Sequence, residues 1–301
     1  MKISQICIIL VFVCILYFSF LTCTSEELSN QLEEQDIMNV FFQLHEGDIK
    51  LREVFNFIED NIYFLSETNA TQLLVEFEDL QRKKLNQIEE YFYKSDMQMR
   101  IDQIVENKDT NQMKKSEILK INDEEVKDLL MVVKNSAYKI KKTEGMYYPV
   151  IDYTVYEYYI ENVNLSNDLV DYLSFMIVEL NNPPAKDAAL LISWEEVLDR
   201  GYKLADFIYK YPNSLRKEEV KLLYNRYLYF TFYGLDNTPL FDHNSRKMSE
   251  ELRYTYINFV NSNYDNIYTK VLKQFLDLLE EHNYVLTSYV DNYIKEIILT
   301  I

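Results

Sequence analysis

Apolar residues recur every three or four positions through most of the chain. Leu51, Val54, Phe55, Ile58, Ile62 and Leu65 fall on one face of a helix over 51–65. Leu73, Leu74, Phe77, Leu80, Leu85, Ile88 and Phe92 do the same over 73–92, with Glu76, Asp79, Lys83 and Glu90 largely opposite. Val126, Leu129, Leu130, Val133, Ala137 and Ile140 predict a helix over 126–140. Before it, Asn122-Asp123-Glu124-Glu125 offers a side-chain oxygen to the free N–H groups and acids to the positive helix end. Gly47-Asp48 separates a first helix, about 26–45, from the second, and polar 107–116 predicts a loop. Helices with one apolar face and short connections predict an antiparallel bundle over 24–144.

Punctuation changes beyond that point. All five prolines and three of the four glycines lie at or after residue 145, which places a domain boundary near Glu144-Gly145. Residues 145–301 predict an all-α C-terminal domain of shorter helices, with 148–160 open to a short strand because of its Tyr and Val content. Ser193-Trp194-Glu195-Glu196 is a capping box opening a helix to about Lys210. Tyr211-Pro212 stops that helix, Ser214 caps the next, and Gly234 ends it. The hairpin 194–233 resembles one unit of a tetratricopeptide-like repeat, but it has no second copy and sets no fold class. Helices over 247–262, 266–282 and 286–299 complete an all-α prediction.

The first 23 residues read as an address. Lys2 precedes an uncharged apolar run from Ile3 to Leu21, and Glu26 and Glu27 follow it. The three cysteines are Cys7, Cys14 and Cys23, so residues 24–301 have no thiol and no disulfide. Phe20-Leu21-Thr22-Cys23 resembles the end of a bacterial lipoprotein signal, in which the cysteine after the cleavage point carries the lipid. That resemblance implies lipidation at Cys23 and an extracytoplasmic, membrane-anchored protein. Cleavage to a free secreted chain and retention as an uncleaved anchor are the alternatives.

Composition narrows the partners. Against 31 Lys and Arg stand 49 Asp and Glu, a formal charge of −18. Residues 24–144 hold 16 basic and 26 acidic residues and 145–301 hold 14 and 23, so both halves are acidic. Nucleic acid and anionic membrane surfaces are thereby excluded as partners, since both are bound through clustered Lys and Arg. The membrane is reached only through the N-terminal segment or its lipid. Four glycines supply neither a P-loop nor a dinucleotide fingerprint. No segment implies a cofactor or a metal.

Two clusters offer ligand chemistry. Tyr147, Tyr148, Tyr153 and Tyr156, with Asp152 among them and Tyr158 and Tyr159 following, present flat apolar faces with hydroxyl tips. Such rings suit peptides, glycans or partner helices. Asp236, Asn237, Asp242 and His243 lie in the longest stretch of turn formers, Gly234–His243, and offer oxygen and imidazole groups without EF-hand spacing. The acidic doublets Glu89/Glu90, Glu195/Glu196, Glu218/Glu219, Glu250/Glu251 and Glu280/Glu281 fit helix starts or polar faces. His45 and His282 fit helix C-termini. The expected function is an exported, envelope-associated, non-catalytic binding module for a protein, peptide or glycan. The alternative is an extracytoplasmic hydrolase of cell-wall or sugar polymers, using carboxylates such as Glu144, Asp152, Asp187 and Glu195.

Overall fold

The computed structural model describes residues 33–44, 50–105, 111–263 and 266–300. The chain is mostly helical, with a few short strands. It divides into two compact units after Ser166. The expected signal segment, Cys23 and His45 lie outside the described residues. Among the described residues no helix is long and apolar enough to cross a membrane.

The first unit runs through α1 (33–43), α2 (Leu51–Asn61), α3 (Glu67–Phe92), α4 (Met97–Val105), α5 (Lys115–Ile118) and α6 (Glu124–Asn135). A strand pair, β1 (Tyr138–Thr143) and β2 (Met146–Ile151), and α7 (Thr154–Asn162) follow. The stripes read from sequence are the core: Val54 and Ile58 of α2, Leu73, Leu74 and Phe77 of α3, and Val126, Leu130 and Val133 of α6 are buried. The cap before α6 forms on Asp123, whose carboxylate accepts from the Val126 N–H at 3.2 Å. Arg100 of α4 clamps the same carboxylate, with Nε 2.7 Å from Oδ2.

The predicted helix over 126–140 ends early. Ala137 has a left-handed φ of 54°, and from Tyr138 the chain is a strand whose buried residues, Tyr138 and Ile140, alternate. Lys139, Lys141 and Lys142 are therefore on β1. Glu144 and Gly145, φ 48° and 81°, form the two-residue turn to β2. The boundary placed at Glu144-Gly145 is thus the tip of a hairpin inside the first unit, and the division falls after Ser166.

Both edges of that hairpin are closed by side-chain amides. Asn111 Nδ2 donates to Ile140 O and its Oδ1 accepts from Ile140 N, each at 2.8 Å. Gln98 does the same to Tyr147, with both bonds at 2.8 Å. Each amide imitates one residue of a missing neighbour strand, so the outward backbone groups of Ile140 and Tyr147 are satisfied. Pro149, which has no N–H to donate, is the register partner of Ile140.

The second unit contains α8 (Asn167–Asn181), β3 (Ala185–Lys186), β4 (Ala189–Leu190), α9 (Trp194–Lys210) and α10 (Lys217–Tyr233). It continues with β5 (Gly234–Leu235), β6 (Thr238–Pro239), α11 (Glu250–Ser262), α12 (Ile267–Glu281) and α13 (Ser288–Thr300). The expected helical domain is observed, with two minimal hairpins, β3–β4 and β5–β6, between its helices. The second replaces the expected 234–243 loop. Gly234 opens it at φ 74°, where a Cβ would stand 2.4 Å from Thr238 O. Ser193, Ser249 and Asn266 cap α9, α11 and α12 through their side-chain oxygens. Glu196, expected to complete the box at Ser193, instead bonds Arg200 Nε at 2.8 Å. Tyr256 and Tyr268 both reach Thr231 of α10, the first donating to its carbonyl and the second paired with its hydroxyl, each at 2.7 Å.

Candidate functional site

The tyrosine cluster is interior. Tyr147, Tyr153, Tyr156 and Tyr159 are all buried in the first unit. Tyr156 donates to Gln81 Oε1 at 2.5 Å, Tyr153 to Glu78 Oε1 at 2.6 Å and Tyr147 to Asp102 Oδ1 at 2.8 Å. Gln81 then bonds the carbonyls of Ser136 and Ala137, and Tyr138 donates to the Gln81 carbonyl. These rings and amides tie α3 to the hairpin and α7. A packed ring whose hydroxyl is already bonded offers a ligand neither its face nor its tip. Tyr148 is half-buried on β2, and Tyr158 is the exposed ring of the group. Asp152 holds Thr154 Oγ1 at 2.6 Å and Lys139 at 3.1 Å.

The 234–243 groups also serve the backbone. Asn237 Nδ2 donates to Asp187 O at 2.8 Å, joining the two small hairpins. His243 Nε2 is 2.9 Å from Asp236 O. Asp242 Oδ1 accepts from the N–H of Asn244 and of Ser245 and from the Ser245 hydroxyl. Those bonds hold the Asp242 carboxyl below the usual carboxylate range, the Ser245 backbone contributing most. Among the described residues no group of three or more His, Cys, Asp or Glu is placed to hold a metal ion.

The acids considered for hydrolysis are dispersed. Glu144 and Asp152 follow opposite ends of the six-residue strand pair, roughly 23 Å apart at about 3.3 Å per residue. A glycosidase pair needs about 5–10 Å. Asp187 and Glu195 belong to the second unit, where Asp187 is a turn residue at φ 50° and Glu195 lies in the first turn of α9. Its own backbone N–H first, then Ser193 and Thr255, bond the Glu195 carboxylate and lower its pKa. Three doublets, Glu195/Glu196, Glu218/Glu219 and Glu250/Glu251, occupy the first turns of α9, α10 and α11, as expected of acids at positive helix ends. His282 is the C-terminal cap of α12 and stacks on Tyr289 at 5.4 Å.

The constellation that sequence reasoning missed centres on Arg200. This side chain is 7% exposed in the middle of α9. Its Nε bonds Glu196, and its Nη1 bonds Glu179 Oε1 at 2.9 Å, Asn182 O at 3.0 Å and the Tyr227 hydroxyl at 3.0 Å. Tyr227 in turn donates to Glu179 Oε1, and burial followed by the Glu179 charge raises the phenol well above its ordinary pKa. Nη2 is enclosed and has no hydrogen-bond partner among the described residues. An unpaired buried donor costs about 1–3 kcal/mol, and more when charged.

Beside Arg200 a cavity of about 240 Å³ opens between α8, α9 and Leu223 of α10. Phe175, Val178, Leu204 and Leu223 give it apolar walls, and Glu179, Glu196, Asp199 and Lys203 give it charged ones. Phe175 is fixed edge-on against Phe207, ring centres 5.9 Å apart. A sequence signal was present: Arg200 follows Val197 by three and precedes Leu204 by four, so it interrupts an apolar stripe. Its partners Glu179 and Tyr227 come from other helices and leave no mark at helical spacing.

No family model, curated protein or solved structure matches the chain.

Proposed function

We propose that this chain is an exported, envelope-associated protein that works by binding a protein, peptide or glycan and performs no catalysis. Its place at the membrane is a lipid on Cys23, the form the Met1–Cys23 pattern favours. The observation that carries the binding reading is the Arg200 cavity. It combines apolar walls with a convergent set of fixed charges, the composition of a small recognition site. The hydrolase alternative draws no support from the acids named for it: Glu144 and Asp152 stand at opposite ends of the β1–β2 hairpin, and Asp152 and Glu195 are bonded to their own surroundings.

Two measurements on the protein in its own host test this. Intact mass of the membrane fraction is expected to give a chain starting at Cys23 with added acyl mass. A soluble chain starting near Thr24 to Glu26 would remove the anchor. Photo-crosslinking from Ser174, at the cavity wall, is expected to trap an envelope component, and Val178→Trp is expected to abolish the product. Release of soluble fragments from purified wall polymer by the protein would favour the hydrolase instead.

A further inference from the structure

Three aromatic side chains of the first unit stand together in solvent. Tyr63 and Phe64 lie on the 3-10 turn Ile62–Phe64 that follows α2 and are 46% and 71% exposed. Tyr158, on α7, is 56% exposed. Tyr63 meets Tyr158 edge-on, ring centres 6.5 Å apart, so the turn and α7 share one surface. Neighbouring exposed rings, unlike single ones, mark an interaction surface. The charges around them are of one sign. Glu59 and Asp60 precede Tyr63 by four and three residues, and Glu157 and Glu161 share the exposed face of α7 with Tyr158. None of these four carboxylates has an ion pair or a hydrogen bond among the described residues. Elsewhere Asp199, Glu218 and Asp291 are each paired with a lysine on their own helix. The cation nearest in sequence, Arg52, lies two turns of α2 back from Glu59, about 10 Å at about 1.5 Å per residue. Glu59, Asp60 and Glu161 also occupy the last turns of α2 and α7, where the negative helix end favours cations and where neither helix has a basic residue.

We propose that the surface built on Tyr63, Phe64 and Tyr158 docks a basic segment of a partner protein. Lys or Arg side chains of the segment lie over the exposed rings and direct their charge at the four unpaired carboxylates, so cation–π attraction and charge pairing act together. An apolar side chain of the segment covers Phe64. A neutral sugar stacked on the rings would leave the four carboxylates unanswered, and an anionic partner would be repelled by them. The docked cations also relieve the acids that oppose the dipoles of α2 and α7. The surface lies in the first unit and the Arg200 cavity in the second, so this inference goes beyond the cavity reading and stands without it.

The test titrates acetyl-Lys-Leu-Arg-Lys-Leu-Arg-amide into the isotope-labelled full chain and follows backbone amides by NMR. Shifts are expected at residues 59–64 and 157–161, with a Kd between about 10 µM and 1 mM for a ligand of this size. Two pairs of variants separate this surface from the general acidity of the chain. Glu59→Gln with Glu161→Gln is expected to weaken binding at least about fivefold. Glu280→Gln with Glu281→Gln removes the same charge from the last turn of α12 and is expected to change it less than about twofold. Phe64→Ala is expected to weaken binding at least about fivefold, and Tyr209→Ala, at the more exposed ring of α9, to leave it unchanged. The Glu59→Gln, Glu161→Gln chain is expected to melt no lower than the unchanged one, because both acids oppose their helix dipoles. A lower melting midpoint would give these acids a structural role and overturn the proposal. Equal weakening by the two pairs of variants would overturn it as well, as would shifts caused by an N-acetylglucosamine trimer and not by the peptide, or by neither probe.

Discussion

The Tyr268 ring lies so close to the α9 backbone at Gly201 that a Cβ there would stand 2.7 Å from both Cζ and Oη. The ring has nowhere to go, because its hydroxyl is held by Thr231 Oγ1 at 2.7 Å and its edge meets Tyr224 and Phe259. Glycine in mid-helix ordinarily costs about 1 kcal/mol relative to alanine. Here it is what lets α12 approach α9. Gly201→Ala is expected to lower stability by about 1–3 kcal/mol in urea unfolding, overpacking outweighing the gain in helix propensity. An increase in stability would show that the ring moves aside freely.

Two buried phenols are expected to respond in opposite directions. The Tyr224 hydroxyl is enclosed without a hydrogen-bond partner among the described residues, whereas Tyr256 donates to Thr231 O at 2.7 Å. Removing an unpaired hydroxyl relieves a desolvation cost, while removing a paired one strands its acceptor. Tyr224→Phe is expected to be neutral or to stabilise by up to about 1 kcal/mol, and Tyr256→Phe to cost about 1–2 kcal/mol. Equal losses from the two in parallel thermal melts would contradict this account.

The edge amides of the β1–β2 hairpin make a prediction at single-residue resolution. Gln98→Ala frees the backbone of Tyr147 on one edge, and Asn111→Ala frees that of Ile140 on the other. Each is expected to cost about 1–2 kcal/mol. Hydrogen exchange is the sharper readout: the Tyr147 amide is expected to lose protection only in the first variant, and the Ile140 amide only in the second.

What the sequence made legible follows from where each signal is stored. Leu73, Phe77, Leu80, Ile88 and Phe92 repeat at helical spacing over more than three turns, and α3 stands where they place it. Ser193 and Asp123 are local caps and bond the N–H groups expected of them. The hairpin was lost because β1 has few apolar residues, and Ile140 happens to continue the stripe of α6. The break depends on the φ of 54° at Ala137, a residue whose type gives no hint of it. The tyrosines failed as a surface signal for a different reason. With 26 of them, the sequence does not distinguish rings that face solvent from those whose hydroxyls are claimed by Gln81 or Glu78. Arg200 was legible only as an interruption, since the groups that define its site lie 21 and 27 residues away.

The same buried phenols set the response of the fold to alkali. Burial is the leading cause that raises Tyr138, Tyr159, Tyr224, Tyr227, Tyr256 and Tyr268 above the usual value of 10.0, because a phenolate in the interior loses its hydration. Tyr63 is pushed up to about 12, first by its hydrogen bond with Tyr158 and then by burial. In the unfolded chain all of these titrate near 10. Above that pH the folded state therefore holds more protons than the unfolded one, and unfolding releases them, so stability falls as pH rises. The contribution is complete below pH 10 or so and disappears as pH climbs through the raised folded values. Unfolding above pH 10 is expected to be cooperative, with tyrosinate absorbance and helical circular dichroism changing together. Full ionisation of all 26 tyrosines near pH 10 with the helices intact would refute the burial of these rings.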